Sequence, residues 1–302
     1  MLDVLIITPC IFGDVIFTGL CEMPSLGQEI YSRGFGFCPG GLGANAGIAM
    51  ARLGMKAAVV SRVGRDLLGD LLCRRLDAEG VDVSRVVRTE SLPTAVSVAL
   101  SFERDRCFVT YPHPSRLVEP LPIDVESVRL ARHVLVSGPD VTRENLSLIR
   151  DMSVGITLDV GWDATNDPDA VLDLLRFVDV FVPNEVEACG ITGTRDPRDA
   201  IEVLSRYVSM PVIKLGARGS MAIKDGRLVE VPSIEVEPVD TTGAGDVFAA
   251  GLLYGYLHGW GIEECLRLAN VCGALSTQGV GGGCSAPRWS DIRRVAPDLP
   301  AV

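Results

Sequence analysis

Short, continuous apolar segments recur along this chain, and this repetition limits its possible folds more than any other feature. The segments lack the in–out alternation of a strand with one wet face, so each is predicted to be a strand buried on both sides. They occupy residues 3–8, 57–63, 133–138, 155–160, 178–183 and 211–216.

The segments between these strands carry helical patterns. Apolar residues recur at helical spacing within 46–53 and within 68–76, and a glycine follows each stripe, at Gly54 and Gly80. Strands that alternate with helices predict an α/β fold of three layers, in which helices cover both faces of a mostly parallel sheet.

Two stretches break this alternation. Residues 29–38 and 94–111 are rich in β-branched and aromatic residues, and both are predicted as extended strands with a polar turn at Glu103–Arg106. We therefore expect a small β-sheet that projects from the main domain. Its role stays open between simple packing or dimerisation and a lid over a ligand. The predicted division gives 12–40 and 92–115 to the lid and 1–11, 41–91 and 116–302 to the α/β core.

Composition narrows the possible functions. The 302 residues carry a net charge of −11, which argues against a nucleic-acid surface, since such a surface needs clustered Lys and Arg. Nine cysteines without a CxxC pair, and only three histidines, argue against a zinc site and favour reduced thiols in the cytoplasm. The uncharged, largely apolar stretch 247–262 is too short to span a bilayer comfortably, so no membrane association is expected.

A glycine-rich stretch, 40–54, leads into the first predicted helix. Its glycines would let a ligand approach the main chain, the first helical turn offers unpaired N–H groups, and Asn45 adds one donor and one acceptor. A plain turn with a helix cap explains the same residues, so both interpretations stay open. The spacing matches a dinucleotide fingerprint only loosely and follows an exposed-looking strand, which argues against a Rossmann oxidoreductase.

The sequence VDTTGAGDVFAAGLL, residues 239–253, places one acid between glycines and a long apolar run. Gly243 and Gly245 leave the main chain unobstructed, and free amides at the start of the following helix suit a developing negative charge. Asp246 is either an acid that matches the helix dipole or a general base for an alcohol. The second role fits phosphoryl transfer, because the hydroxyl loses its proton late in a loose transition state.

Two further elements follow predicted buried strands. Asn184 and Glu187 have the spacing of a capping box, although the same pair at the carboxyl end of a sheet could orient a hydrated Mg²⁺ and phosphates. Lys214 ends the next strand, before a tight glycine turn and a hairpin at Asp225–Gly226, and a simply solvated side chain is its alternative interpretation. The chain has no GxxxxGK[ST], which argues against a P-loop ATPase.

Taken in order, these elements resemble the ribokinase family of PfkB-type carbohydrate kinases. GGLGANAG with the following ARLG, and DTTGAGDVFAAG, are similar to its two signatures, and the resemblance extends from Asp14 to Ser285. It implies transfer of the γ-phosphate of ATP to a hydroxyl of a small sugar or nucleoside, with Mg²⁺ and, in many members, K⁺. It also implies a ribokinase-like, three-layer α/β/α Rossmann-like core with a β-sheet lid built from two insertions.

The resemblance assigns roles to individual residues. Asp246 is implied as the catalytic base, with Gly243, Ala244 and Gly245 as an anion hole. Substrate hydroxyls are expected at Asp14, Gly41 and Asn45. The nucleotide is expected at Asn184, Lys214, Gly216, Gly219 and Asn270, and Mg²⁺ at Glu187 through water. A monovalent cation is expected at Asp240, Thr242, Ser276, Gly279, Gly281 and Ser285.

A neutral sugar is the expected acceptor. Asp159 is followed by Val160–Gly161–Trp162, not by the Asn and Arg of many fructokinase-like and ketodeoxygluconate-kinase-like members, and Gly138 stands where ribokinases commonly carry a larger polar group. A nucleoside kinase is the alternative, because aromatic residues in the lid could stack on a base. A sensor that kept the fold without catalysis is a third hypothesis, against which the intact Asp246 argues. A homodimer through the lid is expected, since an apolar edge strand needs covering.

Overall fold

The protein is described by a computed structural model that covers residues 1–102, 106–112, 121, 123–137, 142–161 and 165–300. Its strands are β1 (Leu2–Ile7), β2 (Phe12–Leu20), β3 (Gly34–Gly40), β4 (Ala57–Gly64), β5 (Val86–Thr89), β6 (Ala95–Phe102), β7 (Arg106–Tyr111), β8 (Ala131–Ser137), β9 (Gly155–Asp159), β10 (Val180–Phe181), β11 (Met210–Lys214), β12 (Ser220–Lys224) and β13 (Arg227–Val231). Its helices are α1 (Leu42–Arg52), α2 (Leu67–Ala78), α3 (Val125–Arg129), α4 (Arg143–Asp151), α5 (Pro168–Leu174), α6 (Glu185–Thr192), α7 (Pro197–Leu204), α8 (Ala244–Leu257), α9 (Ile262–Ser276) and α10 (Trp289–Val295).

The larger sheet has nine strands within the described ranges, in the order β13-β12-β11-β10-β9-β8-β1-β4-β5. The seven strands from β11 to β5 are parallel, and β12 and β13 add an antiparallel ribbon at one edge. The ribbon turns at Asp225 and Gly226, which both have positive φ angles of 51° and 74°. The predicted hairpin is therefore confirmed, and its conformation explains the Asp-Gly pair.

Helices cover both faces of this sheet, and β1 shows why its sequence is apolar throughout. Val4 and Ile6 pack in one core with α1, α2, α8 and α9, whereas Leu5 and Ile7 pack in a second core with α3 to α7. Successive side chains of a strand point to opposite faces, so a strand between two helical layers must be apolar at every position. The predicted three-layer α/β architecture is confirmed.

In the described part of the chain, the second sheet has four strands in the order β3-β2-β6-β7. Strands β2 and β6 are parallel, and the two outer pairs are antiparallel. The sequence predicted extended strands at 29–38 and 94–111, but it did not predict β2, whose glycines and Asp14 interrupt the β-branched pattern. Strand β3 begins at Gly34 instead of residue 29. Residues 103–105 of the predicted polar turn lie outside the described residues, as do Gly138 and Trp162.

Among the described helices, none is long and apolar enough to cross a membrane. Helix α8, which carries no charged residue after Asp246, packs closely against α9 instead. A Cβ atom at Gly251 would lie 3.0 Å from Ala269 Cα, and one at Gly255 would lie 3.1 Å from Cys265 Cα. This close packing fixes α8 within the core, so the position of its N-terminus is well defined.

Candidate active site

The carboxyl ends of the parallel strands meet at one edge of the larger sheet. Asp159 ends β9 and Lys214 ends β11, and the N-terminus of α8 lies beside them. The small sheet places Asp14 on the same side of the molecule, close enough for the charge of Asp246 to act on it. Parallel sheets bind ligands at this edge because loops and helix N-termini gather there.

Helix α8 begins with a main-chain conformation that requires glycine. Gly243 has a φ of 68°, and no side chain caps the helix. A Cβ atom at Gly243 would lie 2.6 Å from Asn45 Nδ2 and 2.9 Å from Gly282 Cα. The glycine therefore lets three chain segments meet at the start of a helix whose first amides carry partial positive charge.

Asn45 joins the early glycine-rich stretch to the late one. Its Nδ2 donates to Asp246 Oδ2 at 2.8 Å, and its Oδ1 accepts from the Gly283 N–H at 2.8 Å. Its side chain is buried in the first half of α1, and both ends of the amide are satisfied. The Asp246 carboxylate is thus held in a fixed orientation by a residue 201 positions away in sequence.

The surroundings of Asp246 change its acidity. Burial is the main cause that raises the pKa of this carboxyl to about 6, and the charge of Asp159 adds to the shift. The bond from Asn45 and the charge of Lys214 oppose it. A carboxylate with a pKa nearer to neutrality is a better proton acceptor than an ordinary aspartate, yet it is still ionised at pH 7.

One interpretation of the sequence left the Lys214 side chain in solvent, but the structure places it in an ion pair. Its Nζ lies 3.1 and 3.2 Å from the two carboxylate oxygens of Asp159, whose side chain is only 2% exposed. Burial works against the charged amine, but Asp159 and Glu187 more than compensate and raise the pKa of Lys214. A Cβ atom at Gly245 would lie 3.2 Å from Lys214 Nζ. The positively charged ammonium group of Lys214 therefore lies beside the first turn of α8.

Asp159, Lys214 and Glu187 form a charged group beside the start of α8. Sequence analysis did not assign Asp159 to the site. It was considered only for its bearing on substrate choice. The signal was present, since an acid at the end of a fully apolar strand must find a partner once the strand is buried. The sequence could not identify Lys214 as that partner, because the two residues end different strands with β10 between them.

Asn184 and Glu187 form the capping box predicted from their spacing. The Glu187 N–H donates to Asn184 Oδ1 at 2.9 Å, and the Asn184 N–H donates to Glu187 Oε2 at 2.8 Å. Glu187 also belongs to the charged group. Burial, with the charges of Asp159 and Asp246 adding to it, raises the pKa of Glu187 to about 7 although Lys214 acts in the opposite direction.

Asp14 enters the site from the small sheet. Burial, followed by the charges of Asp246 and Asp240, raises the pKa of this carboxyl to about 7. A Cβ atom at Gly40 would lie 1.9 Å from Asp14 Oδ2, and Gly41 has a φ of 80°. The two glycines therefore leave room for the carboxylate at the turn into α1. Asp14, Gly41 and Asn45, the predicted substrate residues, come together here.

A cavity of about 420 Å³ opens on the other side of the α8 N-terminus. Four of the five predicted nucleotide residues, Lys214, Gly216, Gly219 and Asn270, line it together with Ala244, Gly245 and a rim of mainly apolar residues. The fifth, Asn184, caps α6.

Gly219 and Asn270 shape this cavity through the main chain of β13. Gly219 has a φ of 100°, and a Cβ atom there would lie 2.1 Å from the Val231 carbonyl oxygen. Asn270 Nδ2 donates to the same oxygen at 3.0 Å. Any larger residue at 219 would displace the strand end, so the glycine is required by packing as well as by its φ angle.

The residues predicted for a monovalent cation lie on adjoining loops. Asp240 is 3% exposed, its Oδ1 accepts from the N–H and Oγ1 of Thr242 at 3.0 and 2.7 Å, and its Oδ2 accepts from the Gly281 N–H at 2.9 Å. Asp240 thereby ties the loop before α8 to the loop after α9.

The hydroxyls of the other predicted cation residues are engaged locally. Ser276 Oγ donates to the Gly273 carbonyl at 2.8 Å, and Ser285 Oγ donates to the Val280 carbonyl at 3.0 Å. A Cβ atom at Gly279 would lie 2.4 Å from Ser285 Oγ, so the glycine allows this tight turn. In the part of the chain that is described, no group of three or more His, Cys, Asp or Glu side chains is placed to hold a metal ion.

One contact links the small sheet directly to the loop before α8. The Arg106 guanidinium donates a hydrogen bond to Thr241 Oγ1, and it also lies over the Phe108 ring, 5.6 Å from its centroid. No sequence pattern predicted this contact, because an arginine at the start of a strand is ordinary. It places the small sheet against the site.

These features define a class of protein: an α/β phosphotransferase whose nucleotide-sized cavity, helix N-terminus and oriented carboxylate lie beside a small second sheet. The chain belongs to the pfkB family of carbohydrate kinases, because the model of that family matches residues 11–289. It is 30% identical over 300 residues to a ribokinase of Arabidopsis thaliana, a match that covers 93% of this chain and 78% of the relative. It is 26% identical to a ribokinase of Lactococcus lactis over 92% of both chains.

A solved structure gives the same result. The structure of Arabidopsis thaliana ribokinase complexed with ribose and ATP superposes with a TM-score of 0.81 at 25% identity, covering 97% of this chain and 98% of that one. The ribokinase-like fold expected from the sequence is confirmed, and so is the enzyme class of carbohydrate kinase.

Proposed function

We propose that this protein transfers the γ-phosphate of ATP to a hydroxyl of a small neutral sugar, with Asp246 as general base. One observation carries the proposal. Asn45 holds the Asp246 carboxylate at the helix N-terminus, between Asp14 on one side and the large cavity on the other. An acceptor hydroxyl beside Asp246 and phosphates entering from the cavity would meet at this point.

The proposed mechanism depends on how the reacting groups are positioned. Gly243, Ala244 and Gly245 are proposed as an anion hole, because their amides begin a helix and Ala244 and Gly245 line the cavity. Lys214, kept charged by Asp159, adds a fixed cation for the migrating phosphoryl group. Asp246 orients the acceptor hydroxyl and takes its proton late in the reaction, when its modest basicity suffices.

The cavity fits ATP in size and chemistry. Gly216 and Gly219 have no side chains that would fill the cavity, and its apolar residues suit a nucleotide base. Asn270, which also lines the cavity, is proposed to lie beside the adenine. Glu187 uses one carboxylate oxygen for its capping bond and is proposed to hold Mg²⁺ through water, with Asn184 beside it. An ion that arrives with ATP needs few protein carboxylates, because Mg²⁺ keeps waters and binds phosphates. Mg²⁺ would neutralise phosphate charge during transfer.

A monovalent cation is proposed at the loops that Asp240 joins. The buried carboxylate and the carbonyl-rich turns around Thr242, Gly279 and Gly281 offer the oxygen atoms that K⁺ binds, with Ser276 and Ser285 bracing those turns. A cation there would stabilise the loop before α8 and thus the anion hole. Assays with K⁺ replaced by tetramethylammonium test this, and equal turnover in both salts would contradict it.

The acceptor side of the site favours a neutral polyol. The strand registers place Asp14, Ser97 and Thr110 in one row across the small sheet, on the face towards α8. Ser97 Oγ and Thr110 Oγ1 are hydrogen-bonded at 2.8 Å. Hydroxyls beside carboxylates recognise sugar hydroxyls, whereas the charges of Asp14 and Asp246 would repel a sugar acid.

A nucleoside acceptor is the second candidate, and Phe108 is the observation in its favour. Phe108 lies in the next row of the same sheet face and is 47% exposed, so its ring is available to stack on a base. Phe17 and Phe35, which contact each other at 5.7 Å, lie on the opposite face and cannot serve this purpose.

An acceptor panel separates these candidates. The protein is incubated with ATP and Mg²⁺ and with neutral sugars, sugar acids or nucleosides, and the phosphorylated product is identified by mass spectrometry. We expect phosphorylation of a neutral sugar, with little effect of Phe108→Ala on turnover. Phosphorylation of a nucleoside that Phe108→Ala abolishes would replace the sugar proposal. Failure of every acceptor, with ATP still bound, would favour a non-catalytic sensor.

A further inference from the structure

Two cysteine side chains meet where the small sheet touches the loop that follows α9. Cys38 lies in β3, and Cys284 lies in the short 3₁₀ turn Gly283–Ser285, which packs against β3. The Cys38 thiol donates to the Val280 carbonyl at 4.0 Å, and the two cysteine side chains lie close enough to interact with each other. The two residues are 246 positions apart in sequence, so only the tertiary structure brings them together. The proposed kinase reaction uses neither of them.

The surrounding residues hold this pair in place. Arg52 Nη1, at the end of α1, donates to the Cys284 carbonyl at 3.0 Å and to the Ala286 carbonyl at 2.7 Å. A Cβ atom at Gly281 would lie 2.5 Å from Cys38 Sγ, so the glycine loop packs directly on the first thiol. Cys38 is 7% exposed whereas Cys284 is half-buried, so a small reagent from solvent reaches Cys284 first.

We propose that Cys38 and Cys284 form a reversible oxidation site that becomes a disulfide when a hydroperoxide reacts with Cys284. The Cys284 sulfur attacks the peroxide, the O–O bond breaks, and a sulfenic acid forms with release of water or an alcohol. The Cys38 sulfur then attacks the Cys284 sulfur, the S–O bond breaks, and the oxygen leaves as water with the Cys38 proton. Two thiols lose two electrons, and the peroxide gains them.

The position of the pair connects it to the active site, and this part of the inference rests on the proposed function. Cys284 follows Gly283, whose N–H donates to Asn45, and Asn45 in turn holds Asp246. Cys38 stands opposite Asp14 in the β2–β3 ladder. A covalent bond between the two sulfurs would draw strand β3 and the Gly283 turn together, and would thereby shift Asp14 and Asn45. Displacement of a reacting group by about 1 Å is enough to lower turnover about 10²-fold.

The experiment treats the purified protein with hydrogen peroxide and maps disulfides by mass spectrometry of non-reduced peptides, a readout that needs no kinase activity. We expect a Cys38–Cys284 cross-link that dithiothreitol reverses. Cys38→Ser should instead retain a sulfenic acid at Cys284 that dimedone labels. Cys21→Ser, which removes an exposed thiol elsewhere, is the matched control and should cross-link like the unaltered protein.

The outcomes separate the chemical proposal from its functional consequence. Oxidation of other cysteines without this cross-link, or a cross-link from Cys38 to a different cysteine, would overturn the site. If the cross-link forms and phosphorylation of the accepted sugar is unchanged, the coupling to Asp246 is wrong although the site exists. We expect turnover to fall about 10- to 100-fold on oxidation and to recover on reduction, with no such fall in Cys38→Ser.

Discussion

At the scale of single residues, Asp246 allows two interpretations that a variant can separate. Asp246→Ala should fold and bind ATP but lose turnover about 10²- to 10⁴-fold, the usual contribution of a general base. Glu263→Ala is the matched control, because Glu263 is also an acid in the first turn of a helix, α9. If Asp246 only complements the helix dipole, both variants would lose about 0.3–1 kcal/mol of stability and keep their turnover.

Asp14 illustrates the free-energy cost of burying a carboxylate in the proposed substrate site. The pKa of Asp14 is raised to about 7 in the folded protein, and it lies near 4 in an unfolded chain. Between these values the unfolded chain releases the proton that the folded protein keeps, so stability falls as pH rises through this window.

Asp14→Asn removes this titrating group and tests the predicted direction of the pH dependence of stability. It should raise the free energy of unfolding by roughly 1–3 kcal/mol above pH 7, and the gain should disappear below about pH 3, where Asp14 is protonated in both states. Urea unfolding at both pH values measures the difference. Glu202→Gln, at an exposed position on α7, should show no such pH dependence. A gain that is equal at both pH values would point to packing instead of ionisation.

At the scale of elements, the start of α8 can be compared with its end. Gly243 and Gly259 both have positive φ angles, of 68° and 74°, but only Gly243 has neighbours within contact distance of an added Cβ. Gly243→Ala should therefore displace Asn45 and lower turnover about 10²-fold. Gly259→Ala should cost about 1–2 kcal/mol of stability and leave turnover unchanged. Equal effects of both variants on turnover would contradict the proposed role of the helix N-terminus.

The ends of β9 and β11 depend on each other through Asp159 and Lys214. Asp159→Leu leaves a buried ammonium group without its partner and should lower the free energy of unfolding by about 3–5 kcal/mol. The double variant Asp159→Leu with Lys214→Met should recover part of this loss, since neither charge remains. Glu230→Gln, which breaks an exposed ion pair with Arg198, should change stability by less than about 1 kcal/mol. A double variant as unstable as the single one would contradict the pairing argument.

At the scale of the whole molecule, the outer face of the small sheet has an apolar surface that we propose to pair with a second copy. Phe35 and Val109 are 65% and 66% exposed on the face opposite Asp14. Sedimentation should give twice the mass of one chain, and Val109→Lys should halve it. Leu228→Lys, on the outer strand β13 of the larger sheet, is the control. A monomer at all concentrations would rule out this proposal.

Much of the architecture follows from local sequence patterns. Runs that are apolar at every position, such as 3–8, predicted strands between two helical layers, and the Asp225–Gly226 pair predicted its hairpin. Strand β2 was missed because Gly13, Asp14 and Gly19 contradict the usual strand pattern. Asp14 lies near Asp246 in the candidate site, and Phe37 and Arg33 lie against the two glycines.

The sequence by itself determined the fold class, the family signatures and the types of residue that we propose to surround a phosphoryl group, because these depend on short-range patterns of polarity and on glycines that local geometry demands. Only the tertiary structure decided which residues meet. It paired Lys214 with Asp159, joined Asn45 to Asp246 and brought Cys38 to Cys284. The physical reason is that a buried charge, amide or thiol is stabilised by whatever partner packing brings near it, and distance along the chain carries no record of that partner.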